Sequence, residues 1–268
     1  MKKFLRIYWA YATTFIKARL EYRSTCITGM LANFYCYFIT YLLLAVLAWK
    51  FGDIAGWSFP ELSILYGLNL VSYAVAGMMF WNSTLDLEDT IVRGRLDRHL
   101  TRPMGVLQQL VLQTFGYTFL GQIAVAGLFL VRAYIRLSLC SLETVLYSVY
   151  ALVGGIFFQS AAMIFFGSIA FWTVRAGSLS GVLYYDIREL TNYPISIYPK
   201  AISTILTFVL PWALINYYPS LIILGKATPA DGAEYWIGVA APLIGCLAFV
   251  GAYMFFYRGL KRYESTGT

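Results

Sequence analysis

Charge is scarce in this chain. Asp, Glu, Lys and Arg make up 12% of its 268 residues and apolar side chains 60%, where a soluble domain carries about 25% charged residues. So much apolar surface in water would leave patches that no monomer tolerates, which excludes a soluble globular enzyme and makes lipid the natural solvent. Histidine is nearly missing: His99 is the only one, and it is predicted to be a solvated side chain in a charged connection. A metal site or catalytic triad built on histidine is thereby excluded. The four cysteines, Cys26, Cys36, Cys140 and Cys246, have no Cys-x-x-Cys spacing and read as small apolar fillers. The one Gly-Lys dipeptide, Gly225-Lys226, fails as a phosphate-binding loop, since Ser220 replaces the first glycine and Ala227 the final Ser/Thr. Asn82-Ser83-Thr84 matches a glycosylation acceptor by chance, because the charge pattern puts it on the inner side.

What remains is length. Uncharged stretches long enough to cross about 30 Å of hydrocarbon as helix run over about 27–49, 62–82, 107–131, 144–172, 201–222 and 236–257. The fold class is therefore all-α, an integral membrane protein with six transmembrane helices, since a lipid-facing backbone must satisfy itself internally. No ionisable residue falls inside these spans, so a proton relay is missing and energy has to enter from elsewhere. The excess of 20 Lys and Arg over 13 Asp and Glu is used up by topology, leaving no call on nucleic acid. Sixteen of the 20 fall in the amino-terminal segment, the second-to-third connection, the fourth-to-fifth connection (Arg175, Arg188, Lys200) and the tail, and only Lys50, Arg132, Arg136 and Lys226 lie opposite. Both termini are predicted to be cytoplasmic. The start imitates a signal peptide, but Arg6, Lys17, Arg19, Glu21 and Arg23 interrupt any apolar core, so cleavage is not expected. Phe4, Tyr8, Tyr11, Phe15, Ala18 and Tyr22 recur at helical spacing, and residues 1–26 are read as an amphipathic helix on the cytoplasmic interface. A single six-span transmembrane domain occupies 27–268.

Three features carry information beyond topology. The connection from Ser83 to Pro103 mixes four Arg with Asp86, Glu88, Asp89 and Asp97 and keeps Leu96 and Leu100 at i, i+4. A short helix with one apolar edge and a charged rim suits docking of a cytoplasmic partner, and a plain solvated loop is the alternative. Around the fifth span stand Tyr193-Pro194, Tyr198-Pro199 and Tyr218-Pro219, with Pro211 between. Pro211 should free the carbonyl of Thr207 and kink the span, and Pro219 should end or bend it near Tyr218. Broken backbone at membrane depth needs protein or a water-lined cavity around it, which favours a translocation pathway. The uncharged polar residues of the spans are Asn33, Asn69, Gln113, Gln122, Gln159 and Asn216. Of these Asn33, Asn69, Gln113 and Asn216, with Tyr37, Tyr41 and Pro211, are the candidates for lining that pathway; bonding helix to helix is the alternative for each.

The connection Gly94-Arg95-Leu96-Asp97 with Leu100 and Arg102-Pro103, the Tyr-Pro-x-x-x-Tyr-Pro run from Tyr193 to Pro199, Pro211 followed by Tyr218-Pro219 and Leu224-Gly225, and the ending from Tyr257 to Gly267 together resemble a bacterial ABC transporter type-2 permease over essentially the whole chain. The resemblance implies a non-catalytic, multi-pass subunit of the bacterial cytoplasmic (inner) membrane that forms the path of an exporter. It implies a second permease subunit, identical or paralogous, and a separate ABC ATPase that binds ATP and magnesium, this chain holding no cofactor. It also implies that Arg93, Gly94, Arg95, Leu96, Asp97, His99 and Leu100 form a coupling helix seated on the ATPase, and that short outer helices follow the fifth span. An energy-independent channel or membrane interaction subunit is the contrasting reading, and the charge census argues against a lipid-modifying enzyme. The residues do not choose among drugs, peptides, lipids and polysaccharides as cargo.

Overall fold

The computed structural model describes residues 10, 13–14, 23–85, 87–173, 184 and 186–264; the interfacial helix expected over 1–26 lies almost wholly outside the described residues. Among the described residues five long helices are apolar enough to cross a membrane: α1 (Arg23–Phe51), α2 (Phe59–Phe80), α6 (Phe119–Arg136), α7 (Leu142–Ser168) and α11 (Ala233–Leu260). Among the described residues there is no strand. The chain is an all-α integral membrane protein. Between these helices lie α3 (Leu87–Val92), α4 (Asp97–Leu100), α5 (Val106–Gln113), α8 (Ile187–Leu190), α9 (Lys200–Thr204) and α10 (Ala213–Ile223).

α2 forms the axis. Most of its side chains are buried, whereas α1 keeps Ile27, Leu31, Tyr35, Ile39, Leu42 and Val46 exposed along its length. Apolar side chains turned outward are the normal state of a helix that meets lipid or another subunit. Helix polarity follows from the contacts. Gln159 of α7 meets Asn69 of α2, and Tyr147 and Phe165 of α7 meet Gly238 and Phe255 of α11, so α2, α7 and α11 run the same way. Gly67 and Gly77 of α2 face Leu130 and Phe119, so α6 runs the other way, with α1 beside it through Asn33 and Gln122. The end of the bundle that carries Arg93, Arg95, Arg98, Arg102, Arg258, Lys261 and Arg262 is the basic end.

α7 and α11 approach backbone to backbone. A Cβ on Gly154 would stand 2.2 Å from the Pro242 Cα, and one on Gly245 would stand 2.3 Å from the Gly154 oxygen. Neither neighbour is a flexible side chain that can move aside. Gly154→Leu is therefore expected to cost about 3 kcal/mol by overpacking, while Gly127→Leu, where a Cβ meets nothing within 4 Å, should be close to neutral. Thermal unfolding of the two variants in detergent checks the contrast.

Two spans differ from their sequence limits. The stretch over 107–131 is broken at 114–118, where the Gly116 amide donates to the Met78 carbonyl of α2 at 2.9 Å; α5 is a separate short helix and the crossing begins at Phe119. The stretch over 201–222 does not cross as one helix. Residues 200–209 and 213–223 meet at an angle of 104°, with the break at Leu210, Pro211 and Trp212, where proline supplies no amide proton. A bend past 90° returns the chain toward the side it came from. α10 then runs unbroken through Pro219 to Ile223, against the expected stop at Tyr218. Its end is closed at Gly225 (φ 66°), with Lys226 N–H bonded to the Leu221 carbonyl and Gly225 N–H to that of Ile222, the pairing of a left-handed helix cap. Beyond it Lys226 reaches Glu61 at 3.0 Å and the Gly56 carbonyl at 2.7 Å, which fixes this end opposite the basic one.

Because α7 and α11 run the same way, the chain must cross back between them. Tyr184 lies beside Gln159, Thr191 and Asn192 beside Asn69, and Ser196 beside Tyr217, so the described residues from Tyr184 to Tyr198 climb through the bundle. Arg188 and Lys200 thus do not belong to a cytoplasmic connection. Arg188 is inside the bundle, and Lys200 lies toward the end where Tyr217 packs on Trp57.

Candidate functional site

The buried polar groups converge halfway along α2. The Asn69 amide donates to Asn192 Oδ1 at 3.0 Å and to Thr191 Oγ1 at 3.3 Å, and its oxygen accepts from Gln159 Nε2 at 3.2 Å. Tyr184 donates to Gln159 Oε1 at 2.8 Å, and Asn216 Nδ2 donates to the carbonyls of Thr191 at 2.6 Å and Leu65 at 3.3 Å. α2, α7, α10 and the climbing segment are joined at one level of the membrane by side-chain hydrogen bonds. The oxygens of Asn216 and Ser220 remain without a protein partner there.

At the centre is Arg188, 4% exposed. Its guanidinium carbon lies 3.9 Å from the Tyr73 ring centroid, a cation–π contact worth up to about 2 kcal/mol when desolvated. Its Nε has no acceptor, and among the described residues no carboxylate forms an ion pair with it. On the outer face of the same turn Asp186 and Glu189 are exposed. A carboxylate at this depth does not face hydrocarbon; it borders water or another subunit. The membrane interior therefore does hold ionisable groups, contrary to the expectation from uncharged stretches. A lack of titrating groups accordingly does not by itself require that energy enter from outside.

Of the expected pathway residues, Asn69 and Asn216 belong to this network, and Tyr37, through its carbonyl bond from Tyr66 and its ring beside Tyr73, borders it. Asn33 and Tyr41 do not. Asn33 accepts from Gln122 at 2.7 Å and fastens α1 to α6; the Tyr41 ring stacks on Phe129 and its hydroxyl meets Ser63 at 2.9 Å. Pro211 forms the hinge at the edge of an apolar cavity, and Gln113 ends α5, its side chain outside the described part. The residues that sequence reasoning passed over are Tyr184, Arg188, Thr191 and Asn192. One signal marked them: a connection near thirty residues long is improbable as a structureless loop in a compact fold.

The segment 83–105 forms a knob at the basic end. α3 stops in a left-handed cap, with Gly94 at φ 64° and Arg95 N–H bonded to the Thr90 carbonyl at 3.0 Å. This break separates Val92 from the turn that holds Leu96 and Leu100, in which Leu100 N–H bonds to the Leu96 carbonyl at 3.3 Å. Leu87, Ile91, Leu96 and His99 turn inward, whereas Val92 and Leu100 are 47% and 49% exposed among Arg93, Arg95, Arg98 and Arg102. The apolar edge expected from Leu96 plus Leu100 is thus corrected to Val92 plus Leu100. Asp89 pairs with Arg93 at 2.5 Å and also with Arg95; both pairs are exposed and contribute little stability. Asp97 accepts from the Tyr263 hydroxyl at 3.0 Å, tying the knob to the tail.

His99 is buried, not solvated. Gln109 of α5 clamps it, donating to the carbonyls of His99 at 2.8 Å and Met104 at 2.7 Å while its oxygen faces His99 Nδ1 at 3.3 Å. Burial, with Arg98 and Arg102 nearby, holds the imidazole below its ordinary value near 6.5, against the Gln109 bond that favours the charged form. A histidine with a depressed folded pKa binds fewer protons than in the unfolded chain, so its contribution is intact above pH 6.5 and declines as pH falls below that. Melting in detergent is expected to weaken between pH 7.5 and 5.5, and His99→Gln to flatten that dependence.

A family model described as ABC-2 family transporter protein matches residues 34–267. The chain belongs to the ABC-2 transporter family. This transport permease of the membrane thus carries the family pattern from α1 to its tail, including the knob and the climbing segment. No curated protein and no solved structure matches the chain. Among the permease's described residues no cluster of three His, Cys, Asp or Glu is placed to hold a metal ion. The polar network joins α2, α7 and α10 to Tyr184, Thr191 and Asn192.

Proposed function

We propose that the chain is the membrane-spanning subunit of an ATP-binding-cassette exporter in the bacterial cytoplasmic membrane, without chemistry of its own, paired with a second permease subunit and driven by a separate ATPase. ATP and magnesium belong to that partner. Nucleotide binding that prefers one state of the assembly shifts the permease between two arrangements, and the shift can be no larger than that preference. The observation that carries this reading is the continuity of α2: one end runs through the turn of Trp81–Leu85 into the knob with exposed Val92 and Leu100, and its middle holds Asn69 in the polar network. A push on the knob would be passed along α2 to the residues at membrane depth.

The exposed carboxylates of Asp186 and Glu189 support an aqueous path beside the 184–198 segment. The test is purification of the full chain in mild detergent followed by reconstitution. An ATPase subunit should co-purify, and vesicles holding both should move cargo only with ATP. Uphill transport by this polypeptide alone under a pH gradient would instead establish an ion-coupled carrier, a reading that Asp186 and Glu189 keep chemically possible.

A further inference from the structure

Between α7, the hinge at Pro211 and α11 lies an apolar slot of about 460 Å³. Phe158 and Phe165 form one wall, Ala248 and Phe255 the other, Leu210 and Pro211 close its inner end, and Arg258 stands at its mouth. A second cavity of about 310 Å³, bounded by Tyr253, Tyr257, Arg258 and Lys261, shares that arginine. From Ile244, the first residue of α11 in the lining, to Arg258 the helix rises about 21 Å at 1.5 Å per residue. Half of the hydrocarbon layer is about 15 Å, so the slot runs from near the membrane centre to the headgroup level of the leaflet at the basic end.

The slot is apolar along its length and cationic only at that level. Arg258 and Lys261 are exposed there and, among the described residues, form no salt bridge. Arg258 at the mouth of a groove one leaflet deep, with Lys261 in the adjoining cavity that shares it, matches one chemistry: a phosphate on an acyl chain. A guanidinium donates to two phosphate oxygens at once, and basic pockets between transmembrane helices hold anionic headgroups in this way. We propose that this slot is a binding site for one anionic glycerophospholipid of the leaflet at the basic end, its acyl chain lying against the Pro211 hinge and its phosphate on Arg258 and Lys261. The lipid would fill the side of the hinge that protein leaves open, so its presence opposes closure of the re-entrant pair onto α11. This site is separate from the polar network and does not depend on the transport reading.

The full-length protein, stripped of lipid in an uncharged detergent, would be titrated with phosphatidylglycerol and with phosphatidylcholine and read by native mass spectrometry. One phosphatidylglycerol should be retained, with clear preference over phosphatidylcholine. Arg258→Gln combined with Lys261→Gln should erase the preference, lowering phosphatidylglycerol affinity roughly 30-fold at about 1 kcal/mol per cation. Gly251→Leu should abolish retention of both lipids: Gly251 lines the slot, and a Cβ there meets nothing within 4 Å, so the side chain fills the groove without strain. Equal binding of the two lipids by the parent, full affinity in the double variant, or a lipid that persists in Gly251→Leu would each overturn the proposal. So would a dimer that forms in place of lipid binding and is lost in Gly251→Leu, since a second copy would then be the occupant. Unchanged melting of the lipid-free variants serves as the folding control, and the exposed Arg258 and Lys261 substitutions decide the matter if Gly251→Leu does not fold.

Discussion

Arg188→Met is expected to lower ATP-driven transport at least tenfold while leaving the melting temperature of the protein unchanged or higher. The two halves of this result have one cause. An unpaired guanidinium at membrane depth costs several kcal/mol in lost hydration, and its contact with the Tyr73 ring, at 3.9 Å, returns only about 2 kcal/mol. A methionine of similar length fills the same space without that cost. A residue retained against stability has some other use, and Arg188 sits where the climbing segment, α2 and α7 are joined through Thr191, Asn69 and Gln159. Removing the charge should free that segment from α2 and uncouple it. Arg188→Lys keeps the charge but loses the flat stacking surface, and should fall between the two. The measurements are vesicle transport with ATP and thermal unfolding in the same detergent. A large fall in melting temperature in Arg188→Met, with transport reduced only in proportion to folded protein, would reduce Arg188 to a packing residue.

The second large effect separates two leucines that look equivalent in the sequence. Leu96→Arg is expected to destabilise the protein by about 3 to 5 kcal/mol, because Leu96 is fully buried and an arginine there has neither space nor an acceptor. Leu100→Arg should leave stability within about 0.5 kcal/mol, since Leu100 is 49% exposed. Yet it should weaken ATPase co-purification and turnover about tenfold or more, as loss of an apolar anchor at a docking surface does. Val92→Arg should behave like Leu100→Arg. Melting curves and the ATPase activity of the co-purified complex distinguish them. If Leu100→Arg and Val92→Arg both leave the complex and its turnover intact, the knob is not the docking surface.

The equivalence of Leu96 and Leu100 was an inference from helical spacing, and that spacing holds, since Leu100 N–H bonds to the Leu96 carbonyl at 3.3 Å. What differs is burial at the two ends of the same turn: Leu96 is closed over by the bundle and Leu100 is 49% exposed. His99 fails for a related reason: a lone histidine between arginines reads as solvated, and only the return of α5, with Gln109 over its carbonyl, buries it. Asn69 and Asn216 were legible as polar residues in apolar stretches, but their meeting was not. Gln159 carried the same signal and proved equal to them, whereas Asn33 carried it and fastens two helices elsewhere.

Arg188 marks the limit most clearly. Composition and uncharged run length determined by themselves that this is an all-α membrane protein, because the cost of exposing backbone or charge to hydrocarbon is local and additive along the chain. The helix break at Pro211 was legible for the same reason, since proline acts on its own backbone. Whether a charged segment lies in water or is drawn into the bundle is not local. It was decided by α2, α7 and α10 packing so as to leave a polar lining of Asn69, Gln159 and Asn216 and a tyrosine face for the arginine, a surrounding that exists only once residues far apart in the chain have come together.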